Sequence, residues 1–228
     1  MKELEIDLQA LFSLEPEKAI KYLESLGYKI TWNWQEQLEA IRQRAFTIAK
    51  VTKADILVII KESLEKSLRE GTSFQDWKKE IDRLLARKGY TKREDGTAWR
   101  KDVIYRTNIQ SAYQAGRYAE MKQAINDVPY WQYIAVMDVR TRPSHAALNG
   151  KVLRADDPFW KTNYPPNGYN CRCRVRALTE EQVKRMGLRV YSGAELKFEP
   201  DPGFNINPAE NWSPDLREYP SELRKELK

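Results

Sequence analysis

"YWQYIAVMD", residues 130–138, is where this chain stops reading as helix. Its aromatic and β-branched side chains fall at both parities, as in a strand covered on both faces. Everything before it repeats with a helical period, and the residues after it break into short strands and turns. That change of period at Pro129 makes the chain α+β: a helical N-terminal half, a long helix, then a small, mostly antiparallel sheet domain.

Towards the N-terminus, "WRKDVIYRTNIQSAYQAGRYAEMKQAIN", residues 99–126, is the longest helical candidate. Its row Ile109, Ala112, Gly116, Ala119 is slim, so another element can approach closely, and we expect the helix to run along or under the sheet. A mid-helix Gly costs about 1 kcal/mol against Ala, so packing must compensate. Four shorter amphipathic helices precede it. They cover residues 13–27, with Ser13 as N-cap, Pro16 in the first turn and Gly27 as stop, and residues 32–51, through Leu38, Ile41, Ala45 and Ile48. The others cover residues 53–71, through Ile56, Ile60, Leu64 and Leu68, and residues 73–89, starting near Ser73.

Towards the C-terminus, "TRPSHAALNG" reads as a turn and a short helical segment, "KVLRA" as a strand, "DDPFW" as a tight turn and "NYPPNGYN" as a rigid proline loop. "CRCRVRAL", residues 171–178, reads as another strand, followed by a helix at "TEEQVKRMG", where Thr179 and Gln182 have the capping-box spacing. Beyond Gly187 the Pro-, Asn- and Gly-rich sequence suggests an extended tail lying over the domain or a partner. The resulting division is 1–96 helical region, 97–187 α+β core and 188–228 tail.

The stretch from His145 to Cys173 holds the only histidine and both cysteines of the 228 residues. Three readings compete: a metal site, a catalytic Cys/His pair, or a small core that uses these side chains for packing. Tetrahedral zinc accepts two thiolates and an imidazole, with Asp138, Asp156, Asp157 or water as the fourth ligand, giving a structural zinc set of His145, Cys171, Cys173 and Asp138. Cys-x-Cys is less specific than paired Cys-x-x-Cys knuckles, and free cysteines are among the most buried residues. A catalytic thiolate would need His145 as its base and Asp138 to orient it, but no nucleophile elbow, Gly-rich phosphate loop or paired carboxylate accompanies them. A metal-dependent nuclease is the enzymatic alternative; it lacks an obvious general base.

Net charge is +6, and residues 139–176 alone carry eight basic and two acidic side chains, so the rest of the chain nearly cancels. A local basic excess of this kind suits an anionic partner, most simply nucleic acid; were that partner double-stranded DNA, phosphate contacts would dominate and give little sequence preference. In a strand, Arg172, Arg174 and Arg176 share the face opposite Cys171 and Cys173. With Arg140, Arg142 and Arg154 they are the candidate contacts to phosphates or an acidic protein surface. No stretch approaches the roughly 18 apolar residues of a membrane span, and the acidic N-terminus is unlike a signal peptide, so we expect a chain made in the cytoplasm with no membrane partner. Cysteines one residue apart in a strand sit at the outer limit for a disulfide.

Four blocks, "YRTNIQSAYQAGR", "YWQYIAVMDVRTRPSHAALNGKV", "DDPFWKTNYPPNGYNCRCRVRALT" and "DPGFNINP", come in an order that resembles the phage Mu F-like family of minor head (head morphogenesis) proteins. The resemblance covers roughly residues 99–212. It carries over Arg106, Gly116, Arg117, Asp138, Arg140, Thr141, Pro143, His145, Gly150, Asp157, Pro158, Cys171 and Cys173 as a common motif core. The resemblance implies a non-enzymatic phage or prophage component of the procapsid or virion, made in the host cytoplasm and placed in the head interior or at the portal vertex. Implied partners are the portal protein, met through the N-terminal helices, and the major capsid or scaffolding protein, with a role in head assembly and in DNA packaging or ejection. Some relatives carry a C-terminal toxin domain, which we do not expect after "SELRKELK".

Overall fold

The computed structural model describes residues 17–28, 45–46, 54–87, 101–207 and 209–210. Ser13 and Pro16, most of the helix expected over 32–51, and the tail beyond 210 lie outside them. The order is α1 (Glu17–Glu24), β1 (Gly27–Tyr28), β2 (Ala45–Phe46), α2 (Ala54–Glu70), α3 (Phe74–Arg87), α4 (Lys101–Gln123), β3 (Tyr130–Ile134), α5 (Pro143–Ala147), β4 (Val152–Arg154), α6 (Phe159–Asn163), β5 (Arg174–Leu178), α7 (Glu180–Arg185) and β6 (Val190–Tyr191). A 3-10 turn comes next, at Gly193–Glu195.

The apolar period of α2 buries Ile56, Ile60, Leu64 and Leu68, and the helix closes at Gly71 with φ +62°. At the start of α3, Ser73 Oγ accepts the Asp76 amide at 3.2 Å. Trp77, Ile81 and Leu85 bury its inner face, and the Trp77 indole donates to Ser63 Oγ at 3.0 Å. Within the helix expected over residues 32–51 a correction is needed: Ala45–Phe46 is not helix but a short strand parallel to Gly27–Tyr28. The β-branched and aromatic content of "AFTIAKV" outweighs the helical spacing there.

The slim row on α4 does what its side chains suggest. A Cβ on Gly116 would come 2.9 Å from the backbone nitrogen of Ala19 and 3.2 Å from Lys18 Cβ, so α1 crosses α4 backbone to backbone at this glycine. From the other side of α4, Gln110 Nε2 and Arg117 Nε donate to the carbonyls of Cys173 and Val175 at 2.9 and 2.8 Å. β5 is an edge strand, and these two side chains occupy carbonyls that its open edge would otherwise leave bare. The expected course of the long helix along the sheet is therefore realised.

The four-stranded sheet has the order β5-β3-β4-β6, antiparallel except for the β4–β6 pair. Trp131, Gln132 and Tyr133 of the central β3 are all buried, so both faces are covered. On one face Trp131 and Tyr133, with Leu153 and Val175, join the helices in a single apolar cluster with an edge-to-face group of Tyr118, Trp131, Trp160 and Tyr164. On the other, Val152 and Leu178 lie beneath Val183 of α7. That helix is set by the expected capping box: Thr179 Oγ1 accepts from Gln182 N at 3.1 Å and Gln182 Oε1 from Thr179 N at 2.8 Å.

Two boundaries differ from expectation. "DDPFW" is the start of α6 rather than only a turn: Asp157 Oδ1 accepts the Phe159 amide at 2.8 Å and launches the helix. β5 begins at Arg174, so Cys171 and Cys173 precede the strand, although burial still alternates through Cys171, Arg172, Cys173, Arg174 and Val175. The chain after Gly187 adds β6 and then wraps the domain. Asp201 pairs with Arg142 at 2.8 Å, and the Asn207 amide donates to Lys161 O at 2.8 Å.

Candidate functional site

His145 is carried by α5, a five-residue helix whose first residue is Pro143. Proline suits that position, because its fixed φ is helical and its missing N–H has no partner to lose. The return into β4 passes through Gly150, at φ +80°, whose amide donates to Tyr133 O at 2.8 Å. Cys171 and Cys173 arrive from the far end of the proline loop, where the Pro165–Pro166 peptide is cis and Asn170 has φ 58°. These two segments bring the three rare side chains together. His145 Nδ1 lies 3.6 Å from each sulfur, and the three atoms all fall within 4.8 Å of one another. His145, Cys171 and Cys173 are 2, 6 and 2% exposed, and Phe198 closes over the imidazole edge-to-face at 5.5 Å.

The surroundings favour negative charge on one sulfur. The Cys173 thiol, His145 and the backbone at Asn167 and Cys173 lie around Cys171 Sγ and hold its thiol well below the ordinary range, against the effect of burial. The same contact with Cys171, together with burial, pushes Cys173 upward, while the Tyr133 hydroxyl beside it opposes that rise. Tyr133 in turn accepts from Asn167 Nδ2 at 3.0 Å, and burial raises its own phenol far above the free value. A buried, hemmed-in thiolate is a poor nucleophile for an external substrate, but a good soft ligand.

The expected carboxylates do not join. Asp138 turns to Arg172, whose two terminal nitrogens donate to its two oxygens, one at 2.7 Å. Arg172 holds the Asp138 carboxyl well below the usual range. Asp156 pairs with Arg154 at 2.9 Å, and Asp157 accepts amides from Phe159 and Gly193. Among the described residues, then, the metal-competent cluster is His145, Cys171 and Cys173, and Asp138 is not part of it. A nearby arginine that neutralises a carboxylate is hard to foresee across 34 residues of sequence.

The six arginines divide. Register places Arg154, Arg174 and Arg176 on one sheet face with Tyr130 and Gln132, because Tyr130 is opposite Arg154, Gln132 opposite Arg176 and Ile134 opposite Arg174. Arg176 donates to Gln132 Oε1 at 2.8 Å and Arg154 is held by Asp156. Arg142 and Arg172 are taken by Asp201 and Asp138. Arg174 has no ion pair among the described residues, and Arg140, 72% exposed at its side chain, meets only Asp138 at 3.7 Å. Of the three arginines expected on this strand, Arg172 and Arg176 are engaged and Arg174 between them has no ion pair among the described residues.

The other motif residues build the fold. Arg106 lies over the Phe74 ring at 5.6 Å, and Thr141 bonds Val136 O through its hydroxyl and Asp138 O through its amide. Pro158 is the residue before α6. Tyr133 and Asn167, which aim donors at the cysteines, were missed as site residues; "YWQY" and "PPN" read as packing and loop, and no spacing links them to a sulfur.

Fold and cluster together define a small α+β domain wound around a buried cysteine/histidine clasp. The model of the family described as "Phage Mu protein F like protein" matches residues 58–176, just over half of the chain, and the chain belongs to that family. That match begins well before the resemblance read at about residue 99 and takes in most of α2 and all of α3; it ends before "DPGFNINP". The chain is 44% identical over 211 residues to "Putative capsid assembly protein F" of Escherichia phage Mu, covering 86% of this chain and 48% of that protein. It is 45% identical over 180 residues to "Mu-like prophage FluMu F protein" of Haemophilus influenzae, covering 75% of this chain and 44% of that one. The chain spans about half the length of these curated relatives. No solved structure matches it.

Proposed function

We propose that this chain acts in phage head assembly as a non-enzymatic component of the procapsid or virion of a Mu-like phage or prophage. The observation that carries this reading is its 44% identity, across 86% of its length, to a protein named for capsid assembly. In the finer reading, the helical part docks on the portal or on the major capsid or scaffolding protein. The chain then sits in the head interior or at the portal vertex, where it serves DNA packaging or ejection. The enzymatic alternative is weakened by the site itself: Asp138, Asp156 and Asp157 are all engaged, leaving none of them free as a general base beside His145.

The assembly role is tested by knocking out the gene in an inducible Mu-like prophage, restoring it from a plasmid, and counting heads by electron microscopy. Aberrant or missing heads that the plasmid restores are expected; normal numbers of filled heads without the gene overturn the reading. Cross-linking of purified procapsids addresses the portal, with cross-links expected from residues 54–87 to the portal protein. Contact with DNA would rest chiefly on Arg140 and Arg174, so binding is expected to be weak and indifferent to sequence. Its log–log salt slope should be about −2, from roughly 0.9 per neutralised phosphate. A salt-independent gel shift, or none, removes DNA from the partners.

A further inference from the structure

We propose that His145, Cys171 and Cys173 bind one zinc ion that clasps α5 to the segment entering β5. This inference is independent of the assembly role and stands whichever partner the chain meets.

The nitrogen–sulfur distances are those of a ligand set. Around tetrahedral zinc, with Zn–S of about 2.3 Å and Zn–N of about 2.0 Å, imidazole nitrogen and thiolate sulfur lie about 3.5 Å apart and two sulfurs about 3.8 Å apart. Here Nδ1 is 3.6 Å from both sulfurs, and all three atoms lie within 4.8 Å of one another. A nitrogen equidistant from both sulfurs is placed as one ion shared by all three atoms would need.

The outer groups fit as well. Metal-bound thiolates need donors near them, and the buried Tyr133 hydroxyl, itself held by Asn167 Nδ2 at 3.0 Å, lies beside Cys173. Two sulfurs and an imidazole are a soft set that suits zinc and excludes magnesium or calcium. The described residues supply three of the four positions, and the fourth would be open to a residue outside them or to a solvent oxygen. Such a position is also found in catalytic zinc sites. In this fold the carboxylates that could serve it as base are engaged, and Phe198 closes over the imidazole, so the ion holds the structure together.

Binding is a proton exchange: whatever protons remain on the two sulfurs and on Nδ1 leave to solvent, Zn2+ takes their place, and no electron is transferred.

The test uses the full chain, purified without chelator and analysed for metal. About one zinc per chain is expected. The protein is then stripped with chelator under reducing conditions and titrated with Co2+. Intense visible bands of tetrahedral cobalt, with thiolate-to-cobalt charge transfer in the near ultraviolet, are expected. Zn2+ should bleach those bands and raise the melting temperature, while Mg2+ should do neither. Tyr133→Phe, which keeps the ring and removes the donor, is expected to weaken zinc affinity about 10–100-fold. Cys173→Ser should abolish stoichiometric binding. If that variant fails to fold, the wild-type cobalt spectrum decides alone. Protein that is free of zinc as purified and shows neither cobalt bands nor a zinc-dependent melting shift overturns the proposal. So does a Cys171–Cys173 disulfide in metal-free, freshly prepared protein.

Discussion

Asp138 illustrates how a single side chain changes meaning between sequence and structure. By position it looks like a ligand or a catalytic orienter; in the fold it anchors Arg172 and caps its own loop through the Arg140 amide. Its carboxyl is held well below the ordinary range by Arg172. A depressed carboxyl contributes stability that is fully present above its unfolded pKa, near 3.9, and is lost as pH falls through the folded value. Both partners are about one-third exposed, so solvent screens the pair and the effect is small. We expect Asp138→Asn to melt slightly lower than wild type at pH 6–8, by an amount that dwindles below about pH 4. Melting curves across that range check it, and a gap that widens in acid would sink the assignment. His145, Cys171 and Cys173 were legible as a group because rare residues crowd one stretch. Their true partners were not, since Tyr133 and Asn167 reach the sulfurs only through the packing of β3 against the proline loop.

At the scale of elements, periodicity found what periodicity controls. The helices at α2, α3 and α4 and the strands β3 and β4 follow from apolar spacing and from Gly and Ser punctuation. The strand at Ala45–Phe46 and the helix at Phe159–Asn163 did not, because one depends on a parallel partner 18 residues away and the other on Asp157 taking the Phe159 amide within a turn-like sequence. The α1–α4 crossing offers the sharpest test. In an isolated helix Gly116→Ala would add stability, about 1 kcal/mol. Here the new methyl meets the Ala19 backbone, which cannot rotate out of the way, and overpacking of this kind costs about 1–3 kcal/mol. Net destabilisation of about 1 kcal/mol is therefore expected in urea unfolding, and a stabilised variant would show that α1 does not sit where the fold places it.

Across the whole molecule, the helical half and the sheet share one apolar cluster that runs from Leu23 and Leu64 to Trp131 and Cys173. The composition shift at Pro129 is thus a change of secondary structure inside one core. The tail was expected to wrap something, and through residue 207 it wraps this domain, by Phe198 on His145, Asp201 on Arg142 and Asn207 on the Trp160 carbonyl. Sequence could not say which surface it would choose, because each of these contacts joins positions at least 47 residues apart. Phe198→Ala should leave the fold intact yet expose the sulfurs. In chelator-treated protein, alkylation of Cys171 and Cys173 is expected to quicken several-fold, read by mass spectrometry, and an unchanged rate would mean that Phe198 is no cover.

That cover has a consequence in time. During synthesis both cysteines emerge before Phe198, which comes about 25 residues after Cys173; at roughly 5–20 residues per second, the interval is about one to five seconds. For that interval a nascent chain carries both thiols and the imidazole without Phe198. The order of translation gives the cluster its open period, and the arrival of residues 198–207 ends it.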